Sequence, residues 1–130
     1  MGNADLITRY FDAVNHENWD ALASVFHPDA TFQTPGTAPR VGRDEIVGLF
    51  LRLFDAWTEH MDTPVRVIRE GDTASVEIEF SGMSTAGRTV SFQAVDLFTF
   101  KDDQVISLRS FYDLHEVRQE LAVEAPGARA

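Results

Sequence analysis

The spacing of apolar residues changes near the middle of the chain. In the first half, apolar side chains recur every three or four positions, the period of a helix with one buried face. The first such stripe consists of Leu6, Ile7, Tyr10, Phe11 and Val14. The pattern predicts three helices: one around this stripe, a short one between the N-cap candidate Asn18 and Pro28, and one from Arg43 to about Trp57.

In the second half, apolar and polar residues alternate, which is typical of strands with one buried face. Short polar turns separate the runs at hairpin-like intervals. The predicted strands are 65–69, a run around 75–81, one around 90–100 and one around 105–113, after a brief extended piece at 30–34. Helices followed by antiparallel strands indicate an α+β fold with the helices on one face of a curved sheet.

Length and composition limit the classes of partner and of chemistry that the chain can use. With 130 residues, the chain predicts a single domain over 1–123 and a short flexible tail over 124–130. The net charge of −10, from 11 basic and 21 acidic residues, argues against nucleic acid and against an anionic membrane as partner. The absence of cysteine excludes disulfides and thiolate catalysis. With no apolar run of membrane length and no signal-peptide pattern, we expect a soluble, cytoplasmic protein.

The outer face of the predicted sheet mixes polar and apolar residues. Val95 and Leu97 alternate in register with Gln93 and Thr99, and Phe111 occurs on the same face of the last strand. A solvated face would be more polar and a core face less so. We therefore expect a homodimer that forms through this face.

Two polar residues are predicted to point into the core. Asp96 shares the inner face of its strand with Phe92, Ala94 and Phe98, where a carboxylate is unfavourable unless it is protonated, paired or hydrogen-bonded. Tyr10 lies on the apolar stripe of the first helix. Each has a purely structural explanation, as a buried acid or a core tyrosine with a satisfied hydroxyl. Together, two neutral donors in one apolar cavity would form an oxyanion hole for an enolate.

The sequence resembles a known superfamily in several blocks. These are Arg9-Tyr10, Val25-Phe26-His27-Pro28-Asp29-Ala30-Thr31-Phe32, Pro35-Gly36, Gly42-Arg43-Asp44-Glu45-Ile46 and Leu108-Arg109-Ser110-Phe111-Tyr112-Asp113. In this order they look like the nuclear transport factor 2-like (NTF2-like) superfamily. Within it the chain is most similar to ketosteroid isomerases and SnoaL-type polyketide cyclases. The resemblance covers about residues 4–118.

The resemblance implies a fold and a set of site residues. The expected fold is a cone-shaped α+β barrel, with three N-terminal helices packed on a curved antiparallel sheet around an apolar cavity. Tyr10 and Asp96 match the oxyanion-hole tyrosine and the protonated aspartate of the isomerases. Ketosteroid isomerase is the well-known example of an enzyme in which a neutral carboxylic acid donates a hydrogen bond. The expected substrate-binding residues are Thr34, Phe50, Phe54, Trp57, His60, Phe80, Phe92, Leu108, Ser110 and Tyr112.

Thr34 occupies the position of the isomerases' general base, an aspartate, and a threonine hydroxyl cannot take a proton at neutral pH. The acid of the related limonene epoxide hydrolases would fall at Ser110. The proton acceptor is then a bound water, His60 or the substrate itself. No histidine pair has metal-ligand spacing, so neither a metal nor a cofactor is expected.

Three functional hypotheses follow. The first is an isomerase or cyclase acting through an enolate on a hydrophobic, carbonyl-bearing, polyketide- or steroid-like molecule. The second is a non-catalytic module that binds such a molecule. The third is a structural or dimerisation domain, whose signature would be a closed core without a cavity.

Overall fold

The computed structural model describes residues 3–123 and forms four helices and one six-stranded sheet from them. The predicted tail over 124–130 lies outside the described residues. The helices are α1 (Asn3–Asn15), α2 (Trp19–Val25), α3 (Arg43–Phe54) and α4 (Leu114–Ala122). The strands are β1 (Phe26–Gln33), β2 (Arg40–Val41), β3 (Trp57–Glu70), β4 (Thr73–Ser84), β5 (Thr89–Lys101) and β6 (Gln104–Phe111).

The N-terminal helices form as their apolar spacing predicts. The stripe on α1 is buried, and Asn18 caps α2 by accepting a hydrogen bond from the backbone N–H of Ala21 over 3.1 Å. On α3, Ile46, Leu49 and Phe50 are buried. The three helices thus cover one face of the sheet, which confirms the α+β class.

The sheet is curved and unclosed, with β2 and β3 at its edges and the order β2-β1-β6-β5-β4-β3. The pairs along β3, β4, β5 and β6 are antiparallel, as predicted. The pairing of β1 with β6 is parallel, which the prediction of an antiparallel sheet missed. The long helical and hairpin segments between these two strands allow the chain to return in the same direction.

Three predicted boundaries are wrong. Helix α2 ends at Val25, so Pro28 lies inside β1, where the register with β6 is interrupted and a missing N–H is tolerated. Helix α3 ends at Phe54, and Trp57 already belongs to β3. The predicted first strand, 65–69, is therefore only the far part of β3.

The fourth helix was not predicted. Asp113 begins α4 by accepting a hydrogen bond from the backbone N–H of Glu116 over 3.0 Å. Leu114, Val117 and Leu121 then occur at helical spacing and face the cavity described below. The helix is short, and its apolar stripe is too sparse for periodicity alone to identify it.

The inner face holds one aromatic core. Phe98 is fully buried, and its ring centroid lies 5.1 Å from that of Tyr10 in an edge-on contact. On the α3 side, Phe50 stacks on Phe32 with centroids 4.6 Å apart. No helix within residues 3–123 is long and apolar enough to cross a bilayer.

Candidate active site

An apolar cavity of about 330 Å³ lies between the inner face of the sheet and helices α1, α3 and α4. Ten of the residues predicted for the site line it: Tyr10, Thr34, Phe50, Phe54, Trp57, Phe80, Phe92, Asp96, Ser110 and Tyr112. The volume is at the lower end of the range of about 300–1,000 Å³ found for small-molecule sites. These residues surround a cavity, so they do not form the closed core expected for a purely structural domain.

Two predicted site residues lie elsewhere. Leu108 is fully buried in the core of the sheet and is not among the described residues that line the cavity. His60 lies on β3, outside the lining, and its Nε2 is 2.9 Å from the Glu17 carboxylate. Because β3 begins at Trp57, His60 belongs to a strand, whereas the sequence placed it at the end of a helix near the cavity rim.

Tyr10 reaches the cavity from α1. Its ring is held by edge-on contacts with Phe11, Phe50 and Phe98, at centroid distances of 4.9, 6.1 and 5.1 Å. Its hydroxyl makes no hydrogen bond to any residue within 3–123. Burial, together with the carboxyl groups of Asp96 and Asp62, raises the Tyr10 pKa well above its usual value. Tyr10 is therefore a neutral phenol with a free O–H at the cavity wall.

Asp96 lies on β5, directly opposite Val76 of β4 and Ser110 of β6. Only 5% of its surface is exposed. Burial raises the Asp96 pKa to about 7, with a smaller rise from Asp62, although a hydrogen bond from Ser110 lowers it. That bond, 2.6 Å long, joins Ser110 Oγ to Oδ1 and leaves Oδ2 without a protein partner among the described residues.

Asp62 is a second cavity carboxyl that the sequence analysis missed. It lies on β3 opposite Phe80, and it lines the cavity together with Asp96 and Tyr10. Burial raises the Asp62 pKa to about 6, and the neighbouring His60 offsets part of this rise. Asp62 and Asp96 are thus two buried carboxyls that line one cavity, and burial raises the pKa of each.

The position of Asp62 is fixed by α1. The Asp62 backbone N–H donates to Asn15 Oδ1 over 2.8 Å, and Asn15 Nδ2 donates to the Asp62 carbonyl over 2.9 Å. These bonds use only the backbone of Asp62, so its carboxylate stays free to face the cavity. The sequence offers one signal for Asp62: it is two residues from His60, so the two side chains would face the same side of a strand. This signal is useful only if β3 is known to begin as early as Trp57.

Thr34, at the end of β1, is buried and bonded locally. Its Oγ1 lies 3.2 Å from Thr37 Oγ1, and both residues line the cavity. The two hydroxyls belong to the turn that contains Pro35 and Gly36. Thr34 thus contributes to the cavity wall and to the turn. The carboxyl groups of the cavity, those of Asp62 and Asp96, lie on the sheet instead.

Arginine side chains stand at the cavity rim. Arg52 of α3 and Arg118 of α4 are both exposed, and both line the cavity. Arg118 lowers the pKa of the Tyr112 hydroxyl, although burial, the larger effect, raises it. Within residues 3–123, no group of three or more His, Asp or Glu side chains is arranged to bind a metal ion.

Comparison with solved structures shows the same fold. A protein of ketosteroid isomerase-like fold from Catenulispora acidiphila is 22% identical, with a TM-score of 0.83 over 93% of this chain and 95% of that one. A candidate SnoaL-like polyketide cyclase from Jannaschia sp. CCS1 is also 22% identical, with a TM-score of 0.86 over 95% and 93%. TerC, crystallised with polyporic acid, is 17% identical, with a TM-score of 0.86 over 93% and 98%.

Sequence comparison identifies the family. No functionally curated protein matches the chain. The sequence model of the SnoaL-like domain, in contrast, matches residues 7–108, which is most of the chain and spans α1 to β6. The chain therefore belongs to the SnoaL-like domain family of the NTF2-like superfamily.

Proposed function

We propose that the protein is an isomerase or cyclase that needs no cofactor and converts a hydrophobic, carbonyl-bearing molecule through an enolate. The observation that carries this proposal is the convergence of Tyr10, Asp62 and Asp96 on one apolar cavity. Apolar walls with a few convergent polar groups of altered pKa are typical of active sites. We expect a polyketide- or steroid-like ring system as the substrate, because the walls of the cavity are mainly apolar.

Tyr10 and Asp96 would bind the carbonyl oxygen. The Tyr10 hydroxyl has no hydrogen-bond partner within residues 3–123, and the same holds for Asp96 Oδ2. A carboxyl whose pKa is about 7 is still substantially protonated at neutral pH, so it can donate. Two donors aimed at the oxygen stabilise the negative charge that develops there when a neighbouring C–H loses its proton.

Asp62 is our candidate for the proton acceptor. Its carboxylate would take the proton from the carbon next to the carbonyl. The electron pair of the C–H bond would form the C=C bond of the enolate, and the π pair of the C=O bond would move to the oxygen. In an isomerisation, protonated Asp62 returns the proton to another carbon of the enolate. In a cyclisation, the enolate carbon forms a bond to a second carbonyl carbon, and Asp62 protonates the new alkoxide.

We prefer Asp62 to the acceptors that the sequence left open, which are a bound water, His60 and the substrate itself. His60 is engaged with Glu17 and lies outside the cavity lining. Thr34 stands where the resembling isomerases have their base, and its hydroxyl is not a base at neutral pH. A pKa of about 6 suits a carboxylate that must be ionised at neutral pH and still accept a proton.

Solvent exchange tests the proposal without the natural substrate. In D₂O, the protein should accelerate loss of the α-proton NMR signal of a small aromatic ketone, β-tetralone. Asp62→Asn should slow the enzyme-dependent rate by about 100-fold or more, since positioned general bases typically contribute about 10²–10⁴-fold. Asp12→Asn, at an exposed position of α1, is the matched control and should leave the rate unchanged. Equal rates for Asp62→Asn and the wild type would exclude Asp62 as the base.

A non-catalytic binding module is the second candidate, and the observation that favours it is Thr34 in the position of the general base of the resembling ketosteroid isomerases. The fold neighbour TerC was crystallised with polyporic acid, which supports a small organic ligand for either candidate. Tight binding of the ketone with no exchange above the buffer rate would favour the module.

We also propose a homodimer that forms through the outer face of the sheet. Val65, Ile68 and Phe111 are exposed there, at 52, 54 and 44%. Glu77 and Arg109 on the same face carry opposite charges that two copies related by a two-fold axis could pair. Sedimentation velocity should show a dimer for the wild type and a monomer for Phe111→Asp. Leu51→Asp, at an exposed position of α3 away from this face, should remain dimeric. A monomeric wild type would contradict the proposal.

A further inference from the structure

The charges around the cavity are distributed unevenly. The acids of the site, Asp62 and Asp96, lie on strands of the sheet, whereas the rim carries Arg52 on α3 and Arg118 on α4. Tyr112, which directly follows β6, lines the same cavity. The cavity therefore has a polar axis, with the groups of Tyr10, Asp62 and Asp96 on its inner walls and positive charge at the mouth.

The arginines of the rim carry positive charge that an anion could bind. No carboxylate lies within 4.0 Å of Arg52 or Arg118 among residues 3–123. The two arginines come from different helices, α3 and α4, and both line this cavity.

The net charge of the protein bears on which molecules the positively charged rim can attract. A protein with a charge of −10 repels an anionic molecule at long range, so such a molecule needs local positive charge to enter. The guanidinium group presents parallel N–H donors that match the two oxygens of a carboxylate. Neutral substrates would gain nothing from this arrangement.

We infer that the substrate carries a carboxylate, which Arg52 and Arg118 hold at the cavity mouth while the reacting carbonyl lies at Tyr10 and Asp96. This inference rests on the proposed function and adds the charge and the orientation of the substrate. The molecule is amphipathic: an apolar ring system spans the cavity between the two polar ends. An end-to-end orientation of this kind places a particular C–H beside Asp62, which determines the site of proton removal.

Two ligands that differ only in charge test the inference. Hydroxynaphthoic acid (6-hydroxy-2-naphthoic acid) has a phenol for the donor pair and a carboxylate for the rim, and its methyl ester has the same ring and phenol without the charge. Fluorescence titration gives both dissociation constants. We expect the wild type to prefer the acid by about tenfold or more, the range of hydrogen bonds to charged groups.

Substitutions distinguish the effect of the two rim arginines from the effect of the charge of the whole protein. In the double variant Arg52→Ala/Arg118→Ala, the preference for the acid should fall to about onefold, while the affinity for the ester changes less than about twofold. Arg9→Ala/Arg69→Ala also removes two positive charges, from exposed positions of α1 and β3, and both this variant and Arg9→Ala alone should keep the preference. The preference should also weaken with added salt, because both arginines are exposed.

The outcomes distinguish this inference from the proposed function. If the ester binds and Arg52→Ala/Arg118→Ala retains the preference, or the wild type has none, the rim does not recognise a carboxylate, although the oxyanion site stands. If Arg9→Ala/Arg69→Ala abolishes the preference as fully as Arg52→Ala/Arg118→Ala, the effect is one of net charge and the inference is wrong. If neither ligand binds the wild type, the proposed function fails and the inference fails with it.

Discussion

Replacing Asp96 by asparagine should stabilise the protein at alkaline pH and change its stability little at acidic pH. The asparagine side chain has nearly the shape of a protonated aspartate, and its carbonyl oxygen can still accept the hydrogen bond from Ser110. The substitution therefore removes the ionisation of residue 96 and little else. It tests the neutral carboxyl that the proposed chemistry requires.

The magnitude follows from the Asp96 pKa. It lies at 3.8 in an unfolded chain and at about 7 in the fold, chiefly because of burial. A pKa raised by folding means that the native state binds the proton more tightly. Its stabilising contribution is complete below the unfolded pKa and is lost as the pH rises through the folded pKa. The loss between about pH 4 and pH 8 amounts to at most about 4 kcal/mol, a substantial part of the stability of a small domain.

Urea denaturation followed by tryptophan fluorescence measures this effect. The free energy of unfolding of Asp96→Asn should exceed that of the wild type by about 2–4 kcal/mol near pH 8, and the difference should shrink toward zero near pH 4.5. The side chains that also face Asp96 are present in both proteins; these are Asp62, Tyr10, Tyr112 and Ser110. The effect of the Asp96 ionisation is therefore measured as the difference in the free energy of unfolding between the variant and the wild type. Asp12→Asn, an exposed control, should follow the wild type at every pH. Parallel curves for Asp96→Asn and the wild type would refute a protonated Asp96.

Three further substitutions test the packing around the site. Phe98→Ala empties a fully buried aromatic position and should lower the free energy of unfolding by about 3–5 kcal/mol in urea. Gly36→Ala should cost about 1–3 kcal/mol and make α4 easier to cleave with protease, because Gly36 has a φ of +76° and its new Cβ would lie 2.7 Å from Leu114 Cδ2. Glu120→Gln removes the negative charge from the partly exposed 2.7 Å contact with Arg88 and should cost less than about 1 kcal/mol by the same urea assay.

The alternation along β5 was sufficient to locate Asp96. In a long strand whose inner face is otherwise apolar, a single carboxyl is conspicuous, and side-chain parity needs no knowledge of the tertiary fold. Tyr10 was found in the same way from the period of α1. These two residues lie in the most regular elements of the chain, where local pattern and global fold agree.

Asp62 could not be found this way, because parity along β3 is interrupted twice. The register of β3 with β4 shifts between Trp57 and Glu59 and again between Pro64 and Arg66. Each bulge moves the following side chains to the opposite face, so the exposed run at 65–70 gives no indication that Asp62 faces inward.

A similar shift occurs between β5 and β6. The irregularity between Thr99 and Phe100 pairs Phe100 with Val105. Val105 is fully buried there, whereas strict alternation with Leu108 and Ser110 would place Ile106, and not Val105, on the inner face. Bulges depend on how neighbouring strands meet, and a single sequence does not reveal where they occur.

Titration with β-naphthol tests the central claim, that Tyr10 and Asp96 form a two-donor site for an oxyanion. The bound phenol should ionise at a lower pH than in water, which its fluorescence reports directly. Tyr10→Phe and Asp96→Ala should each weaken binding of the naphtholate by about tenfold and reverse the shift in its ionisation. Asp12→Asn should change neither quantity. Binding and ionisation that are the same in the wild type and in both donor variants would contradict the account and leave Asp96 with a structural role only.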